Sequence, residues 1–222
     1  MATTTSYPPQ GRRLSMLSTV QLPTHLEQHS DAETQKLLHT LVRQAVSQQA
    51  YANAIQLITC LITQEPKNPN NYNNRGLMYY HCQHWPQAMA DYNRAIQLNS
   101  NKDKVYTNRA KCNLALGRWS AAISDYDSAI TINPYNIKAR IRQGVLFRAL
   151  KMYNDAIVCF GLALFLGKLS AHIYGERGRT HQLNGHWNCA IGDYQRALEL
   201  LDTSPNQLLE KQIQSWISEM LS

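Results

Sequence analysis

Arginine and aspartate recur in this chain at a constant separation of 16 residues, and the two are kept or lost together. Leu41 replaces the arginine in one copy, and Leu57 then replaces the aspartate. Gln143 and Cys159 replace them in another copy. Joint replacement indicates contact, and a guanidinium facing a carboxylate makes a charge-assisted hydrogen bond. We therefore predict structural ion pairs, rather than catalytic or ligand-binding groups, for three pairs: Arg75 and Asp91, Arg109 and Asp125, Arg177 and Asp193.

Other chemically active residues lack the spacing that a catalytic or metal site requires. His81, Cys82 and His84 are potential metal ligands, but no second cluster follows at the spacing of a zinc finger. His25 and His29 lie four residues apart in a segment without a firm helical pattern. The sequence contains no glycine-rich phosphate loop and no nucleophile elbow. We expect no metal site, no cofactor and no enzymatic activity.

The predicted ion pairs lie in a unit of 34 residues that occurs five times. One alanine marks this period without drift, at Ala54, Ala88, Ala122, Ala156 and Ala190. Three residues before each alanine is an aromatic: Tyr51, Trp85, Trp119, Tyr153 and Trp187. Apolar residues four and seven positions after it share one stripe of an α-helix. The pattern predicts helical hairpins in which small residues allow close approach and aromatics fill the adjacent space, stacked to bury their apolar faces.

This arrangement of small, aromatic and alanine positions resembles the tetratricopeptide repeat family. The copies at 72–99 and 106–134 resemble its bacterial form closely. Val42 and Leu61 make the first copy the most divergent, as is common for terminal repeats. The resemblance implies a right-handed superhelix with a concave groove lined by the first helix of each pair. It covers residues 35–204 as five repeats: 35–68, 69–102, 103–136, 137–170 and 171–204.

The two ends of the chain differ from the repeats. Apolar residues within 205–222 recur at intervals of three and four, which predicts a capping helix. Residues 1–34 lack the apolar stretch of a signal peptide, and we predict a mostly disordered segment with a partial helix from about Asp31. The predicted fold class is all-α: a right-handed superhelical solenoid of five helix-turn-helix repeats with a C-terminal capping helix.

The amino-acid composition indicates the cellular location of the protein and the type of partner that it binds. No apolar run approaches 18 residues, so we expect no transmembrane helix. Five cysteines without paired spacing favour a reducing, cytoplasmic location. The net charge is +7, with basic residues spread through the repeats. An acidic protein partner explains this excess as well as a nucleic acid does.

The resemblance also indicates which side chains line the groove, at positions two, five, six, nine and twelve of each repeat. These positions carry basic and amide side chains and a single acid, Glu176. Amides hydrogen-bond an extended peptide backbone, while lysine and arginine pair with its acids. We predict that the peptide-binding groove contains Lys36, Arg43, Asn73, Asn74, Lys104, Asn108, Lys111, Lys138, Arg142, Arg148 and Arg179.

Some members of the family hold the carboxylates of chaperone tails with a clamp of Lys, Asn, Asn, Lys and Arg. This chain matches that clamp at Asn108, Lys138 and Arg142 but departs from it at Asn73 and Leu77. Only part of the clamp is present. We therefore predict more broadly that the ligand is an acidic or carboxylate-bearing peptide.

The function that we predict is a non-enzymatic interaction module, an adaptor or assembly factor, that presents a basic, amide-rich groove to a peptide or acidic protein segment. One alternative is a nucleic-acid-associated protein that uses the same positive surface, with steep salt dependence and exposed stacking aromatics. We rank it lower because the aromatics occupy repeat-packing positions. A regulatory subunit of a separate enzyme is a third hypothesis. The sequence specifies neither the partner nor the oligomeric state.

Overall fold

The computed structural model describes residues 31–167 and 170–221. These residues form eleven α-helices and no strand, which confirms the predicted all-α helical-repeat fold. The helices are α1 Asp31–Ser47, α2 Tyr51–Gln64, α3 Pro69–His81, α4 Trp85–Leu98, α5 Asp103–Ala115, α6 Trp119–Ile132, α7 Ile137–Ala149, α8 Tyr153–Leu166, α9 Ala171–Leu183, α10 Trp187–Thr203 and α11 Gln207–Leu221. Most of the segment predicted to be disordered, residues 1–34, lies outside the described residues, and its last four residues belong to α1.

The chain divides into two compact units, residues 1–66 and 67–222. In the first unit, α1 packs against α2, and Leu38, Ala54 and Ile58 are buried. In the second unit, each helix from α3 to α11 packs against the next one along the chain. The first helices of neighbouring repeats also meet, α3 with α5 and α7 with α9, so these helices share a face of the second unit.

A tight turn joins the two helices of every repeat at the same position. Gln49, Gln83, Gly117, Lys151 and Gly185 each adopt a positive φ between 57° and 77°. Two backbone hydrogen bonds close the turn, as in the third repeat, where the Arg118 amide donates to the carbonyl of Asn113 and Gly117 donates to Leu114. The left-handed conformation reverses the chain within three residues, and glycine adopts it without strain.

Small residues allow the two helices of a hairpin to pack closely. All five period-marking alanines are fully buried. A Cβ atom added at Gly76 would lie 2.8 Å from Cε1 of Tyr92, and one at Gly178 would lie 2.8 Å from Cε1 of Tyr194. Glycine therefore makes room for the aromatic ring four residues after the alanine.

The two sets of aromatics behave differently. Those four residues after the alanine are fully buried: Tyr92, Tyr126, Phe160 and Tyr194. Those three residues before it begin the second helix of each repeat, and Trp119 and Trp187 are 48% and 51% exposed. The prediction that all of these aromatics fill packed space is therefore wrong for the two tryptophans. Tyr51, Trp85 and Tyr153 occupy the same helix position and are half-buried, so the position beside the turn permits exposure without requiring it.

The C-terminal helix covers the last repeat. α11 packs against α9 and α10, and Leu209 and Ile213 enter the same buried cluster as Ala190 and Tyr194. Trp216 stacks on Tyr194 with 6.1 Å between ring centroids. Within the described ranges, none of the helices combines the length and the apolar character that crossing a membrane requires.

Candidate functional site

The arginine–aspartate pairs lie within the second unit, where each joins the two helices of one hairpin. The closest guanidinium–carboxylate distances are 2.8 Å for Arg75 and Asp91, 2.6 Å for Arg109 and Asp125, and 2.6 Å for Arg177 and Asp193. The three carboxylates are buried and accept both an Nε–H and an Nη–H donor. These contacts tie the first helix of a repeat to the second.

The fourth repeat, in which Gln143 replaces the arginine, keeps a contact at the same place. Cys159 Sγ donates to Gln143 Oε1 at 3.6 Å, and burial raises the pKa of the Cys159 thiol to about 11, which keeps it protonated. Gln143 Nε2 also donates to Asp127 Oδ1 of the preceding repeat at 2.6 Å. Arg109 makes the corresponding bond to Asn93 at 2.8 Å. This position therefore also links neighbouring repeats, which the spacing alone does not reveal.

A polar cavity of about 720 Å³ lies between the first helices of repeats two, three and four. Four of its lining side chains are basic and come from two helices, α5 and α7. Seven of the eleven residues predicted for the groove line this cavity: Asn73, Asn74, Lys104, Asn108, Lys111, Lys138 and Arg142. The cavity is the candidate functional site, and we call it the polar groove.

Amide side chains form a continuous row along one side of the polar groove. Asn108 Nδ2 donates to Asn73 Oδ1 at 3.0 Å, and Asn73 Nδ2 donates to Asn74 Oδ1 at 3.3 Å. Each amide in this row has both donor and acceptor atoms, as a peptide backbone does. The row is therefore suited to hydrogen bonds with an extended chain.

Cations lie beside this amide row, since Lys104 and Lys111 share helix α5 with Asn108. The pKa of Lys111 lies below the usual lysine value because of burial first, and then because of the positive charges of Arg142 and Lys138. Lys104, Lys111, Lys138 and Arg142 form no ion pair within the part of the chain that the structure describes. Like charges held together in this way attract an anion, whose binding would relieve their repulsion.

We expect Lys111→Met to raise the free energy of unfolding at neutral pH by on the order of 1 kcal/mol, since it removes a partly buried, repelled charge. A pKa lowered by folding means that the unfolded chain holds the proton more tightly. The gain in free energy of unfolding of the variant over wild type should therefore shrink as pH rises from the lowered pKa of Lys111 to the pKa of an unperturbed lysine. Urea denaturation at several pH values measures this, and a variant less stable than wild type at neutral pH would contradict it.

The polar groove also contains an acid that the position count missed. Asp103 is the first residue of α5, outside the five positions assigned to the groove. Its Oδ2 accepts hydrogen bonds from Asn133 and Asn136, at 2.8 and 2.9 Å. Glu176 is the single acid at the five assigned positions, and Asp103 adds an acid to the cavity from outside them. Asp103 anchors the start of the next repeat and is held by amide donors.

Two predicted groove arginines are engaged elsewhere. Arg148 lies 2.6 Å from Glu176 of the next repeat and also donates to its carbonyl oxygen at 3.0 Å. Arg179 lies 2.9 Å from Glu219 on α11. Their charges are compensated within the fold, so we remove both from the proposed ligand-binding set. Lys36 and Arg43 are exposed on α1, which belongs to the first unit.

A second cavity, of about 540 Å³, shares Lys138 and Arg142 with the polar groove. Apolar side chains dominate its walls, and we call it the apolar pocket. It is lined by Leu114, Trp119, Tyr126, Lys138, Ile141, Arg142, Val145, Leu146, Ala149 and His172. The sequence placed several of these residues on the groove face without indicating that they enclose a separate space.

Within the described residues, no group of three or more His, Cys, Asp or Glu side chains is arranged to hold a metal ion. The five cysteines, which all lie in those ranges, form no disulfide.

Comparison with known proteins agrees with this architecture. Tetratricopeptide-repeat family models match residues 69–102 and 103–136. Dynein axonemal assembly factor 4 of Pongo pygmaeus is 31% identical over 150 residues, or 64% of this chain and 35% of that protein. The chain thus spans about a third of the length of this curated relative.

Solved structures share the fold at low sequence identity. MamA from Desulfovibrio magneticus RS-1 superimposes with a TM-score of 0.68 at 12% identity, over 77% of this chain and 97% of that one. YrrB, described as a TPR protein with an unusual peptide-binding site, gives 0.62 at 14% identity, over 80% and 90%. The two family matches, the 34-residue period and the helical hairpins agree: residues 69–136 are tetratricopeptide repeats, and the other described hairpins share their architecture.

Proposed function

We propose that the chain is a non-enzymatic protein-interaction module, an adaptor or assembly factor, whose polar groove binds an extended acidic peptide. The observation that carries this proposal is the convergence of Lys104, Lys111, Lys138 and Arg142 without a compensating ion pair in the described residues. Carboxylates of a ligand would supply the missing negative charge through charge-assisted hydrogen bonds.

The amide row supports a peptide rather than an isolated anion. Asn73, Asn74 and Asn108 lie in the same cavity as the cations, so one ligand can contact both sets. Backbone groups of an extended chain would pair with the amides, while its acidic side chains reach the cations. Stacked helical repeats offer extended binding surfaces of this kind. The peptide-binding site described for YrrB adds to this support.

A cytoplasmic location is part of the same proposal. Cys112 and Cys159 are buried as thiols, and none of the five cysteines is joined in a disulfide. Thiols persist in reducing compartments, whereas secreted proteins of this size commonly oxidise them.

A nucleic acid is the second candidate ligand, and one residue favours it. Tyr135 is 72% exposed and lines the polar groove beside the lysines, where a base could stack on its ring. We rank the peptide first because a single exposed aromatic does not form a stacking platform along the groove, and because the asparagine row complements a peptide backbone.

The proposal is tested by calorimetric titration with the peptide Ac-Gly-Asp-Asp-Ala-Asp-Asp-Gly-NH2 and its counterpart in which every Asp is Asn. We expect measurable binding of the acidic peptide, weakening with added salt, and no measurable binding of the neutral one. Equal binding of the two peptides, or binding of neither, would overturn the proposal. Displacement of the acidic peptide by micromolar single-stranded oligonucleotide would favour the nucleic-acid alternative.

A further inference from the structure

A buried polar group without a partner lies at the apolar pocket. Tyr126 lines this pocket and is fully buried, and its hydroxyl has no hydrogen-bond partner among the residues that the structure describes. Burying a hydroxyl without a hydrogen bond is unfavourable. A ligand atom that pairs with this hydroxyl would remove that cost.

The equivalent tyrosine of the last repeat shows what is missing in the third. Tyr194 Oη donates to Gln182 Oε1 at 2.6 Å, and Gln182 lies twelve residues before it. The residue twelve before Tyr126 is Leu114, which has no polar side-chain atom and instead forms part of the wall of the pocket. The third repeat thus replaces the internal partner of the phenol with an apolar wall.

The rest of the pocket defines the shape and polarity of an occupant. Leu114, Ile141, Val145 and Leu146 provide apolar walls, so the occupant needs an apolar body. Lys138 and Arg142 line both the apolar pocket and the polar groove. The occupant should therefore carry an acidic group next to its apolar part. A volume of about 540 Å³ leaves ample room for one large side chain.

We propose that the apolar pocket takes a tyrosine side chain of the acidic ligand, with its hydroxyl hydrogen-bonded to Tyr126 and its flanking carboxylates at Lys138 and Arg142. Tyrosine is the side chain whose single polar atom lies at the end of a rigid apolar body. This inference rests on the proposed function, because the same peptide occupies the polar groove. It extends that function by naming a residue that raises the affinity of the peptide.

Two features make the hydrogen bond feasible. Burial raises the pKa of Tyr126 to about 12, so its phenol is protonated at neutral pH and donates to the hydroxyl of the ligand. Trp119 lines the same pocket at 48% exposure, so its indole has solvent to move into when a ligand enters. Side-chain shifts of this size are common when a ligand binds.

The test compares Ac-Gly-Asp-Asp-Tyr-Asp-Asp-Gly-NH2 with the same peptide carrying Phe in place of Tyr, titrated into the full chain. Wild type should bind the tyrosine peptide about three- to ten-fold more tightly, the range expected of a neutral hydrogen bond. Tyr126→Phe should bind the two peptides equally. This variant is expected to fold, because Phe160 occupies the corresponding position of the fourth repeat.

Two further variants isolate the hydroxyl of Tyr126. Tyr92→Phe removes an equally buried and unpartnered hydroxyl that does not line the pocket, so the preference for tyrosine should persist. Leu114→Gln copies the arrangement of Gln182 and should reduce the preference. Equal affinities for the two peptides in wild type, or an unchanged preference in Tyr126→Phe, would overturn the inference and leave the acidic groove standing. Binding of neither peptide would overturn both proposals.

Discussion

Replacing Ala122 with leucine is expected to lower the free energy of unfolding by about 1–3 kcal/mol. Ala122 is fully buried in a cluster with Ala110 and Tyr126, where helices α5 and α6 approach closely. The three extra carbon atoms have no space there, so the helices must separate or the ring of Tyr126 must move. Urea denaturation followed by circular dichroism measures the change.

The preceding residue provides a matched control. Ala121 is exposed on the same helix, so Ala121→Leu adds the same atoms without crowding a helix contact. We expect its effect to stay within about 0.5 kcal/mol, as for most surface substitutions. If Ala122→Leu were as mild as Ala121→Leu, close packing at the period-marking alanine would not explain the repeat.

The fold was predictable because packing constraints recur at a fixed interval. Every hairpin needs a residue without a long side chain at Ala122 or its equivalents, and a left-handed residue at Gly117 or its equivalents. Five copies of these constraints leave a periodic pattern in the sequence. The contact of Arg109 with Asp125 was predictable for the same reason, since both partners belong to one unit and vary together.

The candidate site was predictable only in part. Counting positions identified the face on which Lys111, Lys138 and Arg142 lie, and the structure brings them together. Counting positions did not identify which acidic side chain of the same protein a long basic side chain contacts. Arg148 extends to Glu176 of the next repeat, and such pairs differ from repeat to repeat, so they leave no periodic signal.

The apolar pocket was missed for a related reason. Its existence depends on Leu114 in place of a glutamine and on the half-exposed position of Trp119. Each of these is an ordinary residue for its helix when considered alone. Their shared effect on the hydroxyl of Tyr126 becomes visible only when distances and burial are known.

Reversing two groove charges should have the largest effect on function. We expect Lys138→Glu combined with Arg142→Glu to weaken binding of the acidic peptide by about a hundred-fold or more, because juxtaposed like charges cost several kcal/mol. Neither residue forms an ion pair in the described structure, so helicity and Tm should stay near wild type.

A second double reversal separates local from overall charge. Arg94→Glu combined with Lys211→Glu changes the net charge by the same amount at two exposed positions that line neither cavity. Binding of the acidic peptide should fall only slightly in this control. If both double variants lost affinity equally, overall positive charge rather than the polar groove would account for binding.

If Lys138 and Arg142 recognise the acidic residues of the ligand, reversing their charges should reverse the preference for acidic over basic peptides. Wild type and the Lys138→Glu, Arg142→Glu variant are each titrated with Ac-Gly-Asp-Asp-Ala-Asp-Asp-Gly-NH2 and with its counterpart in which every Asp is Lys. We expect wild type to prefer the acidic peptide and the variant to shift towards the lysine peptide. An acidic peptide that binds the variant with wild-type affinity would contradict it.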